Sequence, residues 1–207
     1  MSRIVNIETL RKKKYDELDL GDFYNSLLGI IESKTSIFIY GTSGSGKSVF
    51  TLQFAANYAD KVGKTLYNSH EESLKKSIHD RVVNFNIKAK KLYVGESVGF
   101  AEMVDKIKRN YYRMVVVDSV QYMNFTYAQQ KELYATFKKR KIILVLVSFG
   151  SSYKKPACAI DIMHACDIKM FFDKGVVTVD SRYLSETRKT RIFTPRQSAV
   201  HVQGALF

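Results

Sequence analysis

The sequence is poor in cysteine and proline and has no tryptophan: two Cys, two Pro and no Trp in 207 residues. Cys158 and Cys166 form no C-x-x-C pair, which argues against a zinc ribbon, and two thiols make no disulfide scaffold. The expected compartment is a reducing cytoplasm. Two prolines and 11 glycines exclude a collagen-like or linker-rich chain. The longest strongly apolar run, 142–147, falls far short of the roughly 18 residues of a membrane span, so no membrane association is expected. The opening MSRIVNIETLRKKKYDE has no apolar block after its charges, so no secretory signal is expected. Acidic residues are also scarce, 20 against 33 Lys and Arg, a formal net charge of +13. That excess points to an anionic partner, nucleotide or nucleic acid, without naming it.

What is present is a packable chain, 45% hydrophobic and 13% aromatic, which excludes disorder. Its length suits one domain at about 100–200 residues per domain. A polar lead-in over 1–35 carries one apolar patch, 23–31. Strands are predicted at 36–40, 65–68, 92–94, 114–117, 142–147, 169–172 and 176–179. Helices are predicted at 48–62, 69–85, 100–112, 127–140 and 157–166. In the second helix Leu74, Ile78 and Val82 recur at i, i+4 and i+8. Near-continuous apolar strands alternating with helices predict an α/β fold, a mostly parallel sheet flanked by helices. The last strands follow each other without a helix, so antiparallel strands are expected at the C-terminal edge. The expected organisation is a lead-in over 1–22, a core over 23–193 and a tail over 194–207.

The strongest motif is Gly41-Thr42-Ser43-Gly44-Ser45-Gly46-Lys47-Ser48, which fits G-x-x-x-x-G-K-S/T in full between a predicted strand and a predicted helix. Gly41, Gly44 and Gly46 let the backbone curl so that successive N–H groups face phosphate oxygens. The helix beginning near Val49 adds its positive end. Lys47 reaches the β- and γ-phosphates and Ser48 is placed to hold Mg²⁺. Asp118 ends the apolar run MVVVD, where a carboxylate at a strand tip can hold the same ion. Glu71 and Glu72 follow the strand TLYN. One can polarise the attacking water, while Ser69-x-x-Glu72 reads as a capping box. Glu71 is assigned to catalysis and Glu72 to the cap, with the reverse as the alternative.

The run YGTSGSGKSVFTLQFA, then YNSHEES, then VVVDSVQYM, resembles the RecA-like P-loop ATPases, most of all the RadA, KaiC and DnaB branch. Leu27-Leu28-Gly29 before the first strand and Lys155-Pro156 with His164-Ala165-Cys166-Asp167 resemble it more weakly. The resemblance covers about residues 25–193 and extends to the ATPase core only. It implies ATP hydrolysis with Mg²⁺, coupled to DNA recombination, repair or replication, with DNA (single-stranded before double-stranded) as partner. It also implies a homo-oligomeric ring or filament in which a neighbour completes each site. Lys189-Thr190-Arg191 matches the family's trans-acting K-x-R element, with Arg182 as a competitor, and Ser148 and Gln121 stand where γ-phosphate sensors would. The alternatives are an ATP-binding assembly switch with little turnover and a P-loop small-molecule kinase.

Other residues read as structural. Arg11 to Lys14 are expected to pair with Asp16, Glu17, Asp19 and Asp22, and His70 is expected in an exposed loop. The net charge reads as a spread-out background, most concentrated from residue 181 onward.

Overall fold

The structure, a computed structural model, describes residues 4–192; the predicted tail 194–207 lies outside them. In chain order the helices are α1 (Ile7–Arg11), α2 (Asp22–Leu28), α3 (Lys47–Lys61), α4 (Lys76–Asn84), α5 (Phe100–Asn110), α6 (Tyr127–Thr136) and α7 (Ile160–His164). The strands are β1 (Ser36–Gly41), β2 (Thr65–Ser69), β3 (Leu92–Glu96), β4 (Met114–Asp118), β5 (Ile143–Ser152), β6 (Lys155–Pro156), β7 (Ile168–Asp173), β8 (Val176–Ser181) and β9 (Arg188–Arg191).

The β-branched and aromatic runs form one sheet in the order β3-β2-β4-β5-β1-β7-β8-β9, with β6 paired to β5. Strands β3, β2, β4, β5, β1 and β7 are mutually parallel, whereas β6 pairs antiparallel with β5, and β8 and β9 add antiparallel at the C-terminal edge. Both faces are covered, so neighbouring residues of one strand serve different cores. Ile37, Ile39, Val116 and Val145 pack with α2, α3 and α4 on one face. Phe38, Tyr40, Val115, Val117 and Leu146 pack with α5, α6 and α7 on the other. That two-sided burial is why these strands read as continuous apolar runs. Leu18 and Leu20, from the polar lead-in, also pack into the first core. Among the described residues no helix is long and apolar enough to cross a membrane.

Four helices are shorter than their patterns predict: α4 starts at Lys76 rather than 69, α5 stops at Asn110, α6 stops at Thr136, and α7 covers only Ile160–His164. The first case shapes the site. After β2 the N–H groups of His70 and Glu71 donate to the carbonyl of Asp118 (2.6 and 3.2 Å), so 70–75 is a turn tied to β4. The capping box expected at Ser69 and Glu72 is not formed: Ser69 ends β2 and the N-cap of α4 is Lys75. A capping box is present elsewhere, between Thr126 and Gln129 at the start of α6.

The local pairing expected for Arg11 to Lys14 is also absent. Asp16 pairs with Lys141 at 2.8 Å, and Asp19 accepts from the Gly21 N–H and the Asn25 side chain.

Candidate nucleotide site

β1 ends at Gly41 and the chain turns back into α3 within six residues, a path that needs backbone angles closed to most side chains. Gly41, Gly44 and Gly46 have φ of 150°, 71° and 97°. A Cβ on Gly41 would stand 2.0 Å from the carbonyl oxygen of Phe172 on the neighbouring β7. The loop is braced from within: Ser45 Oγ donates to the Thr42 carbonyl at 2.7 Å, and Thr42 Oγ1 donates to Asp173 at 3.3 Å. Lys47 is buried, and its Nζ donates to the carbonyls of Gly41 and Thr42 at 2.9 and 2.7 Å. Burial lowers the pKa of its ammonium, while Glu71 and Asp118 oppose the shift.

Ser43 to Val49 line a pocket of about 390 Å³ whose opposite wall is Glu71, Glu72, Arg81 and Phe149. The loop, the start of a 15-residue helix and both predicted glutamates therefore meet at one cavity. Burial first, then the Asp118 and Glu72 carboxylates, raises the pKa of Glu71 above the ordinary value. Glu72 is held differently: its Oε2 lies 2.6 Å from Arg81 Nη1, an ion pair without hydrogen-bond alignment.

Asp118 is buried at the tip of β4, level with Ser69 of β2. The hydroxyl of Tyr67 donates to its Oδ2. Burial raises the pKa of the Asp118 carboxyl, and the Tyr67 hydrogen bond opposes that. Its Oδ1 is buried without a protein hydrogen-bond partner. An unpartnered carboxylate oxygen beside a phosphate loop is a donor suited to a hard cation. Together with Ser48, which lines the pocket, it fits Mg²⁺, an ion that takes few protein ligands beside phosphate oxygens and water.

The remaining predicted residues lie outside this pocket. Gln121 Nε2 donates to Ser148 Oγ at 2.6 Å, that hydroxyl donates to the Phe149 carbonyl at 2.8 Å, and neither residue lines the pocket. Lys189 and Arg191 alternate along the exposed edge strand β9 and line a separate cleft with Tyr153 and Asp173. Arg182 is paired with Asp167 at 2.8 Å, just before β7 begins and so at the end of the sheet away from the phosphate loop. His70 is half-buried, not exposed, within 3.0 Å of the Val98 carbonyl.

Sequence reasoning missed Arg81, Phe149 and Tyr67. Arg81 follows Ile78 by three residues and so flanks the buried stripe of α4, a detectable signal. Phe149 is opposite Gly41 only because β5 and β1 are neighbours, and Tyr67 reaches Asp118 only because β2 adjoins β4. Neither adjacency is visible in chain order.

Residues 20–110 match the family model described as the KaiC ATPase. No curated protein matches the sequence. Among solved structures, the KaiC-like protein PH0186 from the hyperthermophilic archaeon Pyrococcus horikoshii OT3 superposes with a TM-score of 0.59 at 15% identity, over 86% of this chain and 93% of that one. The ATPase domain of a DnaB-like protein superposes with a TM-score of 0.58 at 12% identity, over 81% of this chain and 84% of that one. Phosphate loop, strand order and these likenesses agree on the fold: a mostly parallel, helix-flanked sheet with a phosphate loop after its first strand, as in the KaiC-like and DnaB-like structures.

Proposed function

We propose that the chain hydrolyses ATP with Mg²⁺ and couples the cycle to work on DNA, single-stranded DNA in particular, as a ring or filament of identical subunits. The observation that carries this reading is the convergence of Lys47, Ser48 and Glu71 on one polar pocket, with Asp118 close enough to influence both Lys47 and Glu71. The backbone N–H groups of the loop and the α3 terminus take the phosphates. The Lys47 ammonium exchanges its two loop carbonyls for phosphate oxygens. Ser48 and Asp118 would hold the Mg²⁺, whose chemistry is to neutralise charge on the β- and γ-phosphates. Glu71 orients the water and accepts its proton as oxygen bonds to the γ-phosphorus and ADP departs. Its raised pKa makes it a better proton acceptor than a solvated carboxylate. Arg81 faces the same pocket and is held by Glu72, so it adds positive charge to a wall whose other charged groups are the Glu71 and Glu72 carboxylates.

Lys189 and Arg191 lie exposed on an edge strand and outside their own chain's phosphate pocket. That placement supports a role at a neighbour's nucleotide, as does an arginine finger in trans. The net charge of +13 supports a polyanionic partner.

The test is ATP binding and turnover, with and without single-stranded DNA, beside light scattering for assembly. Lys47→Ala is expected to lose nucleotide binding. Glu71→Gln is expected to bind ATP and to lose turnover by about 100-fold or more, the usual size of a general-base contribution. Unchanged turnover in Glu71→Gln would overturn the assignment.

A further inference from the structure

Five parallel strands lie side by side in the order β3, β2, β4, β5, β1, and a cation stands at the entry to each. Lys91, Lys64 and Arg113 directly precede β3, β2 and β4, while Lys141 and Lys34 come two residues before β5 and β1. The row is held together by backbone: the Arg113 N–H donates to the Lys64 carbonyl at 2.7 Å and the Thr65 N–H to the Lys91 carbonyl at 2.9 Å. With neighbouring strands about 4.8 Å apart, the row runs roughly 20 Å along the sheet edge opposite the phosphate loop.

The segments leading into these strands (32–35, 60–64, 86–91, 110–113 and 138–142) hold eleven Lys and Arg against Glu32 and Asp60. Asp16, paired with Lys141, and Glu17, bridged to Glu32, lie at the same edge, so a net +7 of the chain's +13 is gathered there although the chain order scatters it. Four helices, α3 to α6, end here, and a helix C-terminus carries about half a negative charge. Their dipoles offset about two charges, far fewer than seven. Among the five row cations only Lys141 has a carboxylate within ion-pair reach in the described residues, that of Asp16. Arg113 and Lys34 donate to the carbonyls of Lys141 and Lys138, which leaves their charge in place. Two exposed tyrosines lie in line with the row. The Tyr111 ring, 71% exposed, sits 5.0 Å from the Arg140 guanidinium, and the Tyr93 ring, 43% exposed, sits 5.6 Å from Lys64 Nζ. A cleft of about 290 Å³ opens between Tyr111, Arg113, Lys139 and Ile142.

We propose that this edge binds single-stranded nucleic acid at a site separate from the nucleotide pocket. The cation row tracks the sugar–phosphate chain, and unpaired bases stack on Tyr111 and Tyr93. Rings set among cations suit stacked bases, whereas an anionic membrane would be met by an apolar wedge. The partner class is shared with the function proposed above, and the site is independent of it.

The experiment is fluorescence anisotropy of the full chain with a labelled oligothymidylate of about 20 nucleotides, longer than a common single-strand site size, titrated at several salt concentrations. ATP binding is read in the same samples. The edge variant Lys64→Glu/Lys91→Glu/Lys139→Glu is compared with Lys12→Glu/Lys13→Glu/Lys131→Glu, which changes net charge equally elsewhere. The edge variant is expected to bind the oligonucleotide at least about tenfold more weakly and to lower the slope of log K against log salt by about 2, at about 0.7 per phosphate contact. The control triple is expected to stay within about threefold of wild type, and Tyr111→Ala to lose about five- to tenfold, the size of one stacking contact. Equal weakening in both triples, or wild-type binding in the edge triple, overturns the proposal. So does edge-dependent binding to phosphatidylserine vesicles without binding to the oligonucleotide. Loss of ATP binding by the wild-type chain would sink the ATPase reading while leaving this result intact.

Discussion

Glu71 carries opposite demands as a residue. The features that make it a stronger proton acceptor, its burial and the nearby Asp118 and Glu72 carboxylates, also make its charged form unfavourable in the folded chain. Its folded pKa stands above the unfolded carboxylate value, so across that window the folded chain holds a proton that the unfolded chain has released. Stability therefore falls as pH rises through the window, and the penalty remains in full at pH 7. Glu71→Gln removes the charge and keeps the shape. Without nucleotide it is expected to melt above wild type at neutral pH, because the charged form that the fold disfavours is gone. The difference should shrink as pH falls towards about 4, the ordinary glutamate value, because the wild-type carboxyl is then protonated in both states. A variant that is less stable at pH 7, or whose gain persists undiminished in acid, would contradict this account of the site. The same substitution thus separates two readouts, gaining stability while losing turnover.

At the scale of elements, the site depends on how β1, β7 and the segment after β2 meet. Gly41 lies where β1 leaves the sheet against the Phe172 carbonyl, and no side-chain rearrangement can clear a backbone oxygen 2.0 Å from a new Cβ. Gly41→Ala is expected to destabilise the chain by about 3 kcal/mol, the upper range for overpacking, read as a lower midpoint in urea denaturation. Such a consequence is partly legible in the sequence, because a fully matched G-x-x-x-x-G-K-S between a strand and a helix leaves little other use for its glycines. The two-sided sheet was legible for a similar reason: MVVV and ILVLV are apolar at every position, which a one-sided sheet would not require. The turn at 70–75 was not legible. Leu74, Ile78 and Val82 continue the helical period into it, but the amides of His70 and Glu71 are taken by the Asp118 carbonyl, 47 or more positions away in the chain. Local periodicity registers side-chain preference and has no access to a backbone acceptor on another strand. The roles of Tyr67 and Phe149 were hidden likewise, each set by which strand lies next to which.

Across the whole molecule, strand order converts a scattered sequence property into a directional one. The nucleotide pocket opens at the C-terminal ends of the parallel strands, and most of the net charge collects at their N-terminal ends. The antiparallel strands β8 and β9 extend the sheet sideways and carry Lys189 and Arg191 away from their own phosphate loop. If those side chains complete the site of an adjacent copy, the contact is head-to-tail and propagates into a ring or filament. This arrangement has a consequence that no single-chain mechanism shares. Lys47→Ala and Arg191→Ala are each expected to lose turnover alone, the first through its own pocket and the second through its neighbour's. In an equal mixture that exchanges subunits, an Arg191→Ala chain contributes an intact phosphate loop and an adjoining Lys47→Ala chain contributes an intact β9. With random head-to-tail placement about one site in four is then whole, so ATP turnover should recover to roughly a quarter of the wild-type rate per subunit. Were Arg191 to serve its own chain, every site would lack one part and mixing would restore nothing. Rates measured across a series of mixing ratios, with assembly followed by light scattering, distinguish the two, because recovery in trans must peak at the equal mixture and vanish at both ends.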